Sequence, residues 1–159
     1  MAKVSLQSLL DHTAQRICQS SEDVLLALPE DARSNLKLLS EMGCDGSGNQ
    51  SSCKQTRVQG KSDDSALLMT CVVPLQLFAE QEMEENLSKK LIVWQNPPTS
   101  SKRYCRPMKF EFTKETLEAI SLEREEMLQQ INDLQKCLYT VEAGEEKFQV
   151  KIDHHFVGR

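Results

Sequence analysis

Residues 113–143, TKETLEAISLEREEMLQQINDLQKCLYTVEA, carry the most regular hydrophobic pattern of the chain. Apolar side chains recur there at spacings of three and four residues, which is typical of an amphipathic helix with a coiled-coil seam. The pattern predicts one helix of about eight turns that packs against helices of partner proteins. The predicted partner-binding residues of this seam are Leu117, Ile120, Met127, Ile131, Leu134 and Leu138.

Flanking residues place the ends of this helix. Thr113 fits the N-cap, because its hydroxyl can accept a hydrogen bond from a first-turn amide. Gly144 tolerates the left-handed conformation that ends many helices. We therefore predict a coiled-coil helix over 112–144, in which Arg124 either fixes the register or points outward. An amphipathic helix packed on its own domain fits the same pattern, and the sequence leaves that alternative open.

Residues 1–43 also show helical spacing. Apolar positions separated by three or four residues predict an amphipathic stripe, and Pro29 suits the first turn of a later helix. We predict a small N-terminal helical unit of two or three short helices over this range. The residues that carry the spacing are Leu6, Leu9, Leu10, Ala14 and Ile17 early on, then Ala32, Leu36, Leu39 and Met42.

Two segments have the composition of linkers. Residues 44–65 are rich in glycine and serine, and Val58 is their only sizeable aliphatic side chain. Such a segment buries too little to offset its ordering entropy, which predicts a flexible linker and a partly disordered chain. Residues 95–111 contain Pro97 and Pro98, which stop a helix, followed by basic residues. This second segment is predicted to be a basic linker.

The remaining segments differ in character. Residues 66–73 are almost continuously apolar, so periodicity does not separate strand from helix there. From residue 75 onward apolar residues keep a four-residue spacing and acids precede lysines, which favours an acidic helix within 66–94. In 145–159, Phe148, Val150 and Ile152 alternate with polar residues, which predicts a strand-like tail. Taken together, these segments predict a mainly α fold.

Composition narrows the classes of protein. The chain has 159 residues, a net charge of -5 and 39% hydrophobic residues, with no long apolar run at its start or elsewhere. We therefore expect no membrane span and a cytoplasmic or nuclear location. None of the six cysteines forms a C-x-x-C pair, so free thiols are expected.

The sequence contains no constellation typical of catalysis or metal binding. His154 and His155 are adjacent, and neighbours on an extended strand point to opposite faces. No glycine-flanked serine and no phosphate-binding glycine loop is present. We expect no enzyme activity, no metal and no cofactor.

Two functional hypotheses follow. The first is a non-enzymatic adaptor or small subunit of a multiprotein assembly, binding other proteins through helix packing or forming a homo-oligomer. The alternative is a regulatory nucleic-acid-associated protein that uses the basic linker, although the acidic chain makes nucleic-acid binding in isolation unfavourable. Candidate phosphate-contacting residues for this alternative are Lys102, Arg103, Arg106 and Lys109.

Overall fold

The computed structural model describes residues 1–48, 66–84, 87–97 and 102–157. Within these ranges the chain forms a seven-stranded sheet, curled into half a barrel, together with two long and two short α-helices and a 3-10 helix at Lys102–Tyr104. The architecture is mixed α/β, so the predicted mainly α fold class is wrong.

Helices and strands alternate in blocks along the described chain. The helices are α1 (Leu6–Ser20), α2 (Glu22–Leu26), α3 (Glu30–Arg33) and α4 (Leu117–Asn132). The strands are β1 (Ala2–Lys3), β2 (Leu36–Gly48), β3 (Ala66–Glu82), β4 (Ser88–Gln95), β5 (Arg106–Glu111), β6 (Cys137–Ala143) and β7 (Glu146–Phe156). In the ranges that the structure describes, no helix is both long enough and apolar enough to cross a membrane.

β3 is the central strand of the sheet. It is 17 residues long and pairs antiparallel with β2 from Ala66 to Ala79 on one side, and with β5 and then β4 on the other. The far side of β2 pairs in parallel with β7, which forms a hairpin with β6. Gly144 closes that hairpin with a φ of 61°, which glycine adopts without steric cost. β1 pairs with β5, giving the order β1-β5-β3-β2-β7-β6 with β4 beside β3.

The two long helices lie side by side on one face of the sheet. The amide of Leu6 in α1 donates a hydrogen bond to Gln130 Oε1 of α4 at 3.1 Å. On that face of β2, Leu38 is fully buried in the core that α1 covers. Because side chains alternate along a strand, Met42 and Cys44 of β2 face the same side, where they lie near α4.

The helices predicted for the N-terminal 43 residues are confirmed only as far as Arg33. Leu36, Leu39 and Met42 have helical spacing, yet all three belong to β2. The misleading member is Leu39, which is only half-buried, whereas Leu36 and Leu38 are fully buried on the core face. The two-residue alternation of burial along a strand therefore describes this segment, and the three-residue spacing of Leu36, Leu39 and Met42 does not.

The helix predicted within 66–94 is wrong, because this range contains β3 and β4. A four-residue apolar spacing is also a multiple of the two-residue period of a strand, so it does not distinguish the two structures. The acid–lysine order has a different origin as well. Glu80 lies opposite Lys90 across the β3–β4 pair, and opposite charges placed there stabilise a sheet.

The long coiled-coil helix predicted over 112–144 is also wrong. α4 begins after Thr116, whose hydroxyl accepts a hydrogen bond from the Ala119 amide at 3.1 Å, so Thr113 is not the N-cap. The helix ends at Asn132, and β6 starts at Cys137. Residues 137–141 contain β-branched and aromatic side chains that alternate between core and surface, which favours a strand over a continued helix.

The strand predicted in the tail is confirmed as β7, although it lies between β2 and β6 inside the sheet. Part of each predicted linker is a strand: residues 44–48 end β2, and residues 106–111 form β5. The flexibility predicted for 49–65 and for 98–101 concerns residues outside those that the structure describes.

A matched pair of leucines tests this fold against the coiled coil. We expect Leu38→Ala to lower the free energy of unfolding by about 2–5 kcal/mol, because it leaves a cavity in the core. Leu138→Ala should cost less than about 0.5 kcal/mol, because that side chain is 49% exposed on β6. Urea denaturation followed by circular dichroism measures both. Similar losses for the two variants would contradict the described sheet.

Candidate partner-binding groove

The sheet is incomplete along one side of β2. β7 pairs with β2 only from Leu36 to Ser40, and the last contact is the Val157 amide donating to the Ser40 carbonyl at 3.0 Å. β2 then continues to Gly48. Along residues 41–48, this side of β2 has no strand partner among the described parts of the chain. We call this stretch the open edge of β2.

A groove runs between the open edge and α4. It encloses a cavity of about 280 Å³ that also reaches the end of β7 at Phe156. Met42, Gly43 and Cys44 form the strand side of the groove. The helix side consists of Ile120, Glu123, Arg124, Met127, Leu128 and Ile131.

The helix side is mostly apolar because of the spacing already seen in the sequence. Residues three and four apart lie on one face of a helix, so these side chains form a single stripe. Met127 is buried toward the sheet, whereas Ile120, Leu128 and Ile131 are half-buried. Arg124 interrupts the stripe and is exposed. A row of half-buried apolar side chains therefore remains open to a further contact.

A buried ion pair holds α4 against the sheet. Glu123, only 4% exposed, accepts hydrogen bonds from Thr70 Oγ1 at 2.8 Å and from Lys109 Nζ at 2.6 Å. Glu111 and Glu126 also lie within ion-pair distance of Lys109. The hydrogen bond to Glu123 is the main cause that raises the pKa of Lys109, while burial opposes it. These contacts fix which face of α4 borders the groove.

The segment before α4 approaches β2 closely beyond the cavity. A Cβ atom on Gly46 would collide with the side chain of Glu115, so the chain crosses closely over β2 at this point. Glycine is the residue that permits this approach, because it has no side chain. The cavity itself extends from Phe156 to Cys44 along the strand side, and the close approach of Glu115 to Gly46 lies two residues farther along β2.

Cys44 places a thiol in the groove. Burial is the main cause that raises its pKa, and the nearby carboxylate of Glu123 adds to the effect. The reactive form of cysteine is the thiolate, which a raised pKa disfavours. None of the residues that line the cavity is a histidine that could act as a base for this thiol.

The predicted partner-binding residues are divided by the structure. Ile120, Met127 and Ile131 come together in the groove. Leu117 begins α4 and is 87% exposed, while Leu134 packs against the core beyond the helix. Leu138 lies apart from them on the surface of β6.

The four basic residues do not form one surface. Lys109 is buried in the ion-pair cluster, and Arg106 is half-buried on β5. The guanidinium of Arg103 lies 5.8 Å from the ring of Tyr104. The side chain of Lys102 is outside the described part of the chain. Of the two candidates on β5, Lys109 is already saturated by carboxylates.

Sequence reasoning missed the strand side of the groove. Met42 and Cys44 matter because β7 stops beside Ser40, and no local pattern in β2 reports where a strand far along the chain will end. The helix side was visible as the apolar stripe. The α4 side of the groove can thus be predicted from local sequence, whereas the β2 side depends on tertiary pairing.

A second cavity of about 490 Å³ has a different character. It is polar and carries both signs of charge, including Lys37 and Glu80, whose side chains pair at 2.7 Å. Asp31, Lys136 and Lys151 also line it. Mixed, mutually compensating charges select no particular ligand, so this cavity does not point to a site.

Comparison with known proteins gives no identity. No protein-family model matches the chain, and no curated protein sequence matches it. In the described part of the chain, no group of three or more histidine, cysteine, aspartate or glutamate side chains is arranged to hold a metal ion.

The buried ion pair gives a stability prediction. Glu123→Ala should lower the free energy of unfolding by about 3–5 kcal/mol, because it removes the closest partner of the buried Lys109. Glu126→Ala is the matched control: its side chain is 37% exposed, and we expect a loss of about 0–1 kcal/mol. Urea denaturation measures both. Equal losses would show that Glu123 does not anchor α4.

His154 gives a pH prediction. Its side chain is 2% exposed, and burial lowers its pKa below 6.5 despite the opposing charges of Asp11 and Asp153. The unfolded chain therefore binds a proton near pH 6.5 that the native chain does not, so stability should fall as the pH drops below that value. His154→Leu should flatten the dependence of the unfolding free energy between pH 7.5 and about 5.5. An unchanged slope in urea titrations would contradict this assignment.

Proposed function

We propose that this chain is a non-enzymatic protein-interaction module, an adaptor or small subunit of a larger assembly. Its binding site is the groove between α4 and the open edge of β2, and its ligand is a segment of a partner protein with apolar side chains. The observation that carries the proposal is the half-buried stripe of Ile120, Leu128 and Ile131 beside a cavity of about 280 Å³.

The size and lining of the cavity support a polypeptide ligand. A volume near 300 Å³ lies at the lower end of the range for small-molecule pockets. It has few convergent polar groups, since Glu123 is already bonded to Thr70 and Lys109. Covering the apolar stripe would gain about 25 cal/mol for each Å² removed from water. This gain favours a ligand that presents several apolar side chains.

The chemistry of the groove argues against catalysis. Cys44 is its only sulfur nucleophile among the lining residues, and burial raises the pKa of its thiol although the hydrogen bond from Thr70 opposes this, which disfavours the thiolate. Nucleophilic catalysis requires the opposite, an activated nucleophile with a base beside it. A non-enzymatic role therefore fits this site better than a hydrolase or transferase does.

The nucleic-acid alternative stays a prediction that no observation favours. Lys109, one of its four basic residues, lies within 4 Å of three carboxylates and is 8% exposed. Fewer available cations mean fewer released counterions and weaker binding to phosphates. The net charge of -5 acts in the same direction.

The proposed location is the cytoplasm or the nucleus. Cys18, Cys44, Cys71, Cys105 and Cys137 are free thiols in the described part of the chain. Free thiols suit the reducing compartments of the cell. A partner protein in either compartment is compatible with the groove.

A display selection tests the proposal. We would select from a phage library of random twelve-residue peptides on the purified full chain. Ile120→Asp should weaken the recovered peptides more than tenfold, because it replaces an apolar side chain of the wall with a hydrated carboxylate. The matched control is Leu122→Asp, on the same helix but 61% exposed and outside the groove.

Fluorescence anisotropy gives the affinities, and thermal melts monitored by circular dichroism verify that both variants fold. The proposal is contradicted if no peptide is recovered. It is equally contradicted if recovered peptides bind the folded Ile120→Asp chain as tightly as the unmodified chain.

A further inference from the structure

We infer that the partner segment binds as an extended strand added to the open edge of β2, with an apolar side chain in the cavity and an acidic side chain at Arg124. The inference rests on the proposed function and specifies the conformation and chemistry of the ligand. It replaces the partner helix expected from the sequence with a strand.

The backbone of β2 offers unpaired groups to the groove. The Ser40 carbonyl faces β7, since it accepts from the Val157 amide. On its other side Ser40 lies opposite Pro74, which has no amide hydrogen to donate. Strand residues that bond one neighbour alternate with those that bond the other. The amide and carbonyl groups of Met42, Cys44 and Gly46 therefore point toward the groove.

Those groups select an extended ligand. Each residue supplies one donor and one acceptor, and they repeat every second residue along the strand. The amides and carbonyls in the interior of a helix bond within that helix, so a helical ligand would leave the edge unsatisfied. An extended segment carries donors and acceptors at the same repeat and can pair with all three residues.

The room available sets the length of the pairing. The open edge begins after Ser40, where the pairing with β7 ends, and Glu115 approaches it closely at Gly46. At roughly 3.3 Å per residue, residues 42–46 span about 16 Å. The added strand should therefore make a core of four or five paired residues.

Alternation along the added strand assigns its side chains. One face points into the cavity, toward Met127, Ile131 and Phe156, and suits an apolar residue. Residues on the same face are about 7 Å apart, so the next inward position reaches the neighbourhood of Arg124, one turn from Met127.

Charge complementarity defines that second side chain. Arg124 is exposed and forms no ion pair within the described residues, while its neighbour Glu123 is neutralised by Lys109. Glu41 and Asp45 alternate with the inward residues of β2, so they lie on its other face. A carboxylate on the ligand would give Arg124 the partner it lacks.

The test uses the tightest twelve-residue peptide from the display selection. Single N-methyl groups are placed at each position, since each removes one backbone donor and blocks close pairing. We expect at least tenfold weaker binding at every second position across four or five residues, and changes under threefold between them. A helical ligand would instead lose affinity at consecutive positions.

Two variants of the full chain complete the test. Cys44→Pro removes an edge donor that β3 does not use, and should bind at least tenfold more weakly than Cys44→Ala, which keeps that donor. Arg124→Glu should weaken an acidic peptide at least tenfold, and the same peptide with lysine in place of its acid should regain binding to that variant.

Each outcome decides between explanations. Consecutive N-methyl losses, or equal binding by Cys44→Pro and Cys44→Ala, would overturn strand addition while leaving a groove that depends on Ile120 intact. Peptides indifferent to Arg124→Glu would overturn the acidic contact. A peptide-resistant dimer in sedimentation, lost in Cys44→Pro, would assign the edge to a second copy of this chain. Peptide binding that is unaffected by Ile120→Asp would contradict the proposed function itself.

Discussion

The register of β7 against β2 is the constraint on which the groove depends, because the two strands pair only from Leu36 to Ser40. A strand inside a sheet needs a hydrogen-bonding partner on both sides, because unpaired backbone groups are costly once water is excluded. β3 pairs with β2 along the whole length of β2, but β7 pairs only with its first five residues, from Leu36 to Ser40. The hydrophobic core is therefore buried although one side of β2 lacks a strand partner among the described residues. The groove exists because the sheet stops early there and a helix overhangs the gap.

The position of α4 depends on a charged residue, Glu123, at a buried position where an apolar side chain would be expected. Glu123 lies between the apolar positions Ile120 and Met127 of α4, and it is buried against Thr70 and Lys109. Such a pair contributes little net stability compared with an apolar contact, but it is demanding in geometry. It therefore fixes the rotation of α4 about its axis.

Some of this structure follows from local sequence, and some depends on contacts between distant segments. The short helices before Arg33 and the strand containing Val150 and Ile152 are visible as local periodicities. Local periodicity does not identify the segment 75–90, because its four-residue apolar spacing fits both a helix and a strand. Only pairing with β2 and β4 decides the matter.

The groove divides in the same way. Local sequence predicts the apolar stripe of α4, including Ile120 and Ile131, but it predicts another helix as the partner of that stripe. Local sequence does not predict the open edge of β2, because that edge depends on the register of Leu36 against Ile152 and on where β7 ends. Sequence periodicity reports which face of an element is apolar, whereas tertiary pairing decides what that face meets.

The parallel pairing of β2 with β7 has a consequence for synthesis on the ribosome. The early helix α1 carries the fully buried Leu6 and Leu10, and the sheet beneath it includes Ile152 of β7. The ribosome adds about 5–20 residues per second, so these leucines stay exposed for seconds before β7 has been made. During that interval the nascent chain presents an apolar helix without its sheet, which is the kind of surface that chaperones bind.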